Sequence, residues 1–326
     1  MPLGEFELIA RYFTRAPLRA SLGVGDDCAL LAPLPADHQL AVSCDMLVEG
    51  RHFLSSVAPG RLGHKALAVN LSDLAACGAD PIAFTLALAM PRVDEAFLEG
   101  FAHGLFELAD QHGIELVGGD TTAGPLNICI TVFGAIPIGR ALLRSGAGVG
   151  DQLWVSHPAG GGLGDARLAL EVFRGTACLP GAAFDKLRLR MECPTPRLAL
   201  GRALRGLATS AIDLSDGLVG DLGHVLTRSG VGATVSADSL PMSEWLASMP
   251  RALQRECTLA GGDDYELLFS APPARAHEVL AAAERSGVAV TCIGRIEAMP
   301  GLRIVDGAGA PLNQRFSAFD HFKGAT

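Results

Sequence analysis

Apolar positions along the chain switch repeatedly between helical and strand spacing, and their order predicts two successive α/β domains. Phe6, Ile9, Ala10 and Phe13 recur at helical spacing, and turn-rich sequence then runs to Gly23-Val24-Gly25-Asp26-Asp27. A short helix thus leads into an acidic loop. Gln39 to Cys44 reads as a strand that delivers Asp45 at its end, and a helix is expected from about Leu62 to Cys77, stopped by Gly78. Ala83 to Met90 reads as a strand closed by Pro91; Asp94 caps a helix that ends near His112 at Gly113. Strands at Glu115 to Val117 and Asn127 to Ile136 follow, with Gly118 to Thr122 between them. Helices against one face of a sheet are the expected architecture of a first domain over 1–138.

The stretch 139–150 is rich in small residues and carries Arg140 and Arg144, as a connector with a ligand role would. From Gln152 the pattern restarts. A strand over 152–156, a glycine-rich loop over 160–164, helices after Asp165 and from about Arg197, and a strand over 209–212 come in turn. A helix over 216–227, a strand over 265–270, a helix over 274–286 and a strand over 288–296 complete a second α/β domain, taken as 139–326.

Composition narrows the function. A length of 326 residues suits two domains, and 49% hydrophobic with 19% charged residues argues against long disordered stretches. A net charge of −9 without any basic run makes nucleic acid a poor partner. Carboxylates can still bind phosphorylated ligands through divalent cations. Eight cysteines without a C-x-x-C pair fit free thiols in a reducing cytoplasm. Neither a signal peptide nor a membrane span is expected.

Five acidic clusters share one local form, an aspartate after an apolar run, flanked by glycine, serine or threonine: Asp26-Asp27, Asp45, Asp120, Asp213 with Asp216, and Asp263-Asp264. Any one alone reads as a turn. Together they suggest a pocket of oxygen ligands, which favours magnesium over zinc. Asp73 interrupts the apolar run Ala66 to Ala76, where a carboxylate on the packed side of a helix needs a partner. There is no G-x-x-x-x-G-K-[ST] loop, because Gly160-Gly161-Gly162-Leu163-Gly164 lacks the lysine, so a P-loop kinase is excluded. His52 stands near the Asp45 cluster, where a loop histidine on the surface is the plain alternative; His224 reads as a packing or surface residue.

Taken in order, these motifs resemble the thiamine-monophosphate kinase family, in the superfamily of aminoimidazole ribonucleotide synthetase and selenophosphate synthetase. The resemblance covers nearly the whole chain. It rests on Gly25-Asp26-Asp27-Cys28-Ala29, the run Lys65 to Ala76, Gly78-Ala79-Asp80-Pro81, Gly118-Gly119-Asp120-Thr121-Thr122 and Arg144-Ser145-Gly146-Ala147. Ala211-Ile212-Asp213-Leu214-Ser215-Asp216-Gly217-Leu218 and Gly261-Gly262-Asp263-Asp264-Tyr265-Glu266-Leu267 complete it.

The resemblance implies transfer of the γ-phosphoryl group of ATP to thiamine monophosphate, giving thiamine diphosphate, with several Mg²⁺ ions. Asp27, Ser43, Cys44, Asp45, Asp73, Asp120, Asp213 and Asp216 fall at the family's magnesium positions. Gly119, Asp120, Arg144 and Ser215 fall at its ATP positions, with His103 able to line the adenine pocket, and His52, Asp264 and Phe319 fall at its thiamine-phosphate positions. Asp45, Asp120 and Arg144 are the catalytic candidates. The resemblance also implies an N-terminal domain that dimerises through its sheet, and ATP between the domains. Cys44 stands where the family often has threonine, Asp263 where glutamate is frequent, Phe319 where Trp or Tyr is, and Cys193 where arginine is common. Selenophosphate synthesis is disfavoured, since no reactive cysteine lies in an N-terminal glycine-rich loop. A noncatalytic nucleotide sensor is the rival from another class.

Overall fold

The computed structural model describes residues 3–312, 314 and 316. Phe319 lies outside the described residues. The chain divides into two compact units: Met1–Leu74 with Ala79–Gly139, and Ala75–Gly78 with Arg140–Thr326.

The first unit holds α1 (Glu5–Tyr12), β1 (His38–Val48), α2 (Pro59–Cys77), β2 (Asp80–Met90), α3 (Glu95–His112), β3 (Glu115–Ala123) and β4 (Asn127–Pro137). Its sheet has the order β1-β4-β2-β3, with β2 and β3 parallel and the other pairs antiparallel. One face is apolar and packed: Phe84, Leu86, Leu88, Ile128, Ile130 and Val132 are buried with Leu67, Leu71, Phe101 and Leu105 of the helices. Burying each such side chain contributes about 1.5–3 kcal/mol. The helices meet backbone to backbone, because a Cβ on Gly104 would lie 1.8 Å from the Gly60 carbonyl oxygen and one on Gly63 2.0 Å from that of Phe101. Only glycine allows this approach. Asp94 caps α3, its side chain accepting from Phe97 N, and Gly113 ends the helix in the left-handed region at φ 61°.

The second unit holds β5 (Gln152–His157), α4 (Asp165–Phe173), α5 (Gly181–Glu192), α6 (Leu198–Ala203), β6 (Ser210–Asp213) and α7 (Leu218–Ser229). It continues with β7 (Gly232–Ser236), α8 (Glu244–Ala247), α9 (Arg251–Ala260), β8 (Leu267–Ala271), α10 (Ala276–Arg285), β9 (Ala289–Glu297) and β10 (Gly301–Val305). Six strands form one sheet in the order β10-β7-β9-β5-β8-β6. Leu153, Val155, Leu222, Val235, Leu268 and Ile293 lie in its core.

Three local expectations are corrected. Asp45 is not at a strand end, since β1 runs on to Val48, and β3 continues through Gly118 to Thr122 without a break. A strand can absorb those glycines because Gly119 has φ 153°, and a Cβ there would sit 1.8 Å from the Leu86 carbonyl oxygen. The segment 265–266 is not strand: β8 starts at Leu267, after Asp263 and Tyr265, which hold positive φ of 66° and 50°.

Candidate active site

Antiparallel pairing alternates the faces of β1, so Ser43, Asp45 and Leu47 face the helices while Leu40, Val42, Cys44 and Met46 lie on the exposed side. On the packed side, α2 supplies two polar partners. Ser43 Oγ donates to Asp73 Oδ2 at 2.5 Å. Asn70 Oδ1 accepts from the backbone N–H of Asp45 at 2.9 Å, while its Nδ2 donates to the Ala66 carbonyl at 3.0 Å. Asn70 is buried and so needs both bonds. A serine hydroxyl from β1 is therefore one partner of Asp73.

The turn after β1 carries His52. Its Nδ1 accepts from the Val48 N–H at 3.0 Å, so the neutral ring bears its proton on Nε2. Buried Lys65 donates Nζ to the His52 carbonyl at 3.1 Å and fixes the same turn from α2. Sequence reasoning gave no role to Lys65 or Asn70, although both stand in the apolar run around Asp73 and a buried polar group there is the signal.

Asp120 belongs elsewhere on the sheet. The register aligns Asp45 with Ile130, Leu86 and Gly119, whereas Asp120 aligns with Ala87, Cys129 and Met46 in the neighbouring row. That row lies on the exposed face, and β1 and β3 are opposite edges, about 14 Å apart at ordinary strand spacing. Asp26 and Asp27 are exposed in the loop between the bridge residues Leu22 and Leu30, and the flanking Ala20 and Leu31, with Ala29, share a cluster with Ala83, Val117 and Phe133. Cys44 Sγ lies 3.4 Å from Cys129 Sγ on the exposed side. Burial, with that sulfur contact, pushes the Cys129 thiol up to about 11. His103 is on the outer side of α3, 4.0 Å from Glu107, with its side chain 80% exposed.

In the second unit, Leu143 accepts at its carbonyl from Ala211 N at 2.8 Å, which lays the Arg144 segment beside β6. Ser229 Oγ donates to the Arg144 carbonyl at 3.2 Å. Asp213 ends β6 and is buried; Ser215 and Asp216 follow in the turn before α7. This turn is stitched to the next acidic loop: Asp263 N donates to Ser215 O at 2.9 Å, Tyr265 N to Leu214 O at 2.8 Å and Leu214 N to Glu266 O at 2.8 Å.

Asp264 faces inward. It is buried and accepts from Gly164 N at 2.9 Å, and burial raises its carboxyl well above the ordinary range. Asp165 is likewise pushed up to about 6 by burial, with Ser243 Oγ donating to it at 2.5 Å. Glu266, buried, is the charged centre of the loop: Arg190 Nη2 donates to it at 2.9 Å, Arg197 Nε at 2.7 Å and Ser156 Oγ at 2.6 Å. Asp221 is a further carboxylate that sequence reasoning missed. Burial and the neighbouring Asp216 push it up to about 7.

Among the described residues no three or more His, Cys, Asp or Glu side chains gather to hold a metal ion, and no helix among them is long and apolar enough to cross a membrane. On the packed side, Ser43 of β1 meets Asp73 of α2, and Asp45 lies on the same face of β1 as Ser43.

Known proteins resemble this chain over its length. The N-terminal domain of AIR synthase related proteins matches residues 25–136, and the C-terminal domain of the same proteins matches residues 148–307. Thiamine-monophosphate kinase of Escherichia coli (strain K12) is 45% identical over 328 residues, 99% of each chain. The crystal structure of thiamine-monophosphate kinase from Stenotrophomonas maltophilia K279a has a TM-score of 0.83 at 44% identity, covering 94% of this chain and 95% of that one. The complex of AaThiL with AMPPCP and TMP has a TM-score of 0.75 at 29% identity, covering 90% of each.

Proposed function

The chain belongs to the thiamine-monophosphate kinase family of AIR synthase related proteins, and from that premise we infer that it transfers the γ-phosphoryl group of ATP to the phosphate of thiamine monophosphate. The products are thiamine diphosphate and ADP. One observation carries this reading: 45% identity to a thiamine-monophosphate kinase across 99% of both chains, spanning both domains.

The acceptor is a phosphate, already ionised near neutral pH, so no general base is needed. The difficulty is repulsion. Two unit negative charges 4 Å apart repel by about 4 kcal/mol at an effective dielectric of 20, and each phosphate carries more than one charge. A Mg²⁺ ion, when bound, would supply the charge neutralisation that lets two polyanions approach.

We assign Asp45, Asp73 and Ser43 to hold that cation on the packed side of β1. Hard oxygen donors suit Mg²⁺, which commonly uses one or two carboxylates and completes its shell with water and substrate phosphate. Asn70 keeps the Asp45 backbone in register. Asp27, Cys44 by its backbone carbonyl, Asp120, Asp213 and Asp216 are assigned to further ions. Arg144, Gly119, Asp120 and Ser215 are assigned to ATP. His52 is assigned to the thiamine phosphate as the resemblance implies, on a turn fixed by the bond from Val48 N to its Nδ1. Phe319 is assigned to stack on the cationic thiazolium.

Asp264 takes a different role from the one its motif suggests. Its carboxyl is buried against Gly164 N, so we assign it to shaping the loop, with the less buried Asp263 nearer the substrate. His103, outward on α3, is kept for the adenine only as the resemblance implies it. A homodimer through the exposed side of the first sheet fits its uncovered apolar row of Leu40, Val42 and Met46, and free thiols throughout fit a cytoplasmic enzyme.

The test is incubation of the purified protein with ATP, magnesium and thiamine monophosphate, followed by chromatography of the thiamine species. Formation of thiamine diphosphate supports the reading. ATP binding with no phosphorylated thiamine product would instead favour a nucleotide sensor.

A further inference from the structure

Asp221 lies one turn inside α7, where the Cβ vector tilts the side chain back toward the helix start. It is buried, and its Oδ2 accepts two backbone N–H groups, those of Ser215 and Asp216, each at 3.1 Å. Gly217, at the head of the helix, offers no side chain to do this. The peptide groups held are those of the residue assigned to ATP and the residue assigned to a cation.

Ser215 is fixed from its other side as well. Its carbonyl accepts from Asp263 N at 2.9 Å, and a Cβ on Gly262 would stand 2.6 Å from that oxygen. The acidic loop 261–266 therefore packs directly on the turn. That loop has two bonds with Leu214 that do not pass through Asp221: Tyr265 N donates to Leu214 O, and Leu214 N donates to Glu266 O. Loss of the Asp221 carboxylate frees the Ser215-Asp216 peptides while leaving the loop tied to Leu214.

We propose that Asp221 is a positioning residue for phosphoryl transfer, acting through the Ser215-Asp216 turn on the ATP side of the reaction. This rests on the assignment of Ser215 and Asp216 above. A helix cap alone would also use a carboxylate at this position, but its loss would lower only stability. A positioning role moves the nucleotide parameters selectively.

Asp221→Ala removes the carboxylate that two part-buried N–H groups donate to, and the turn relaxes. The expected result is a rise of about tenfold in KM for ATP, with KM for thiamine monophosphate within about twofold of the parent. Asp221→Asn keeps an acceptor oxygen at the same place and restores KM for ATP to within about threefold. Calorimetric titration with AMPPCP in the presence of magnesium reads the same site without turnover. A tenfold weaker affinity in the alanine variant, recovered by asparagine, supports the proposal. Equal affinity and equal KM in folded alanine variant, or a lowered melting temperature alone, overturns it. If the alanine variant does not fold, a normal KM for ATP in Asp221→Leu or an asparagine variant no better than a nonfunctional one overturns it too. Were the parent itself unable to phosphorylate thiamine monophosphate, the proposed function would fail, and the AMPPCP titration would still decide the role of Asp221.

Discussion

Ser43 Oγ and Asp73 Oδ2 lie 2.5 Å apart and join the packed face of β1 to α2. The bond orients a carboxylate that would otherwise be half-buried among the apolar residues of α2, and it sets Asp73 beside the strand that carries Asp45. A change at either residue is therefore expected to act on the proposed cation site before it acts on the fold.

Asp73→Asn keeps the shape and the bond from Ser43 but removes the charge. It should raise the magnesium concentration for half-maximal rate by roughly ten- to hundredfold. A magnesium titration of initial rates checks this, and an unchanged midpoint would remove Asp73 from the cation site.

Asn70 has a structural task next to that site. Asn70→Leu takes the acceptor from the part-buried Asp45 N–H and should cost about 1–3 kcal/mol. Urea denaturation followed by circular dichroism reads the loss; a stability equal to that of the parent would show the Asn70 bonds to be dispensable.

Glu266 sits between Arg190 and Arg197. Glu266→Ala leaves the guanidinium groups without their carboxylate and is expected to cost about 3–5 kcal/mol. Double-variant analysis with Arg197→Met checks the pairing, because removing both charges should recover part of the loss.

Asp165 gives a pH test. Burial lifts its folded pKa to about 6, above the ordinary carboxylate value of 3.8, so the folded state binds the proton more tightly than the unfolded chain. The resulting stabilisation is present below about pH 4 and is lost as pH rises through about 6. Asp165→Asn, which carries no charge to bury at any pH and can still accept from Ser243 Oγ, should therefore gain on the parent by about 1–3 kcal/mol at pH 8 and by far less at pH 4. Thermal melts at the two pH values decide it, and an equal shift at both would show that the charge is not what matters.

Much of this was legible in the chain. Asp94 and Gly113 mark the ends of α3 as their chemistry demands, and the Asp213 to Leu218 motif falls where a strand meets a helix. Other features depend on tertiary register, which local spacing does not encode. Asp45 and Asp120 follow similar small-residue runs, yet pairing sets them in adjacent rows of the sheet that face opposite ways. The helix α9 and the strands β7 and β10 escaped because the sequence around Arg251 is polar and the strands are only five residues long. Asp221 carries no local signal in the chain, because its partners are peptide groups of the preceding turn.

Transfer of label from γ-phosphate-labelled ATP tests the central claim most directly. With magnesium and thiamine monophosphate present, the label is expected in thiamine diphosphate, one equivalent for each ADP formed. Label released as inorganic phosphate, or retained in ATP while the thiamine ester stays unchanged, would contradict it.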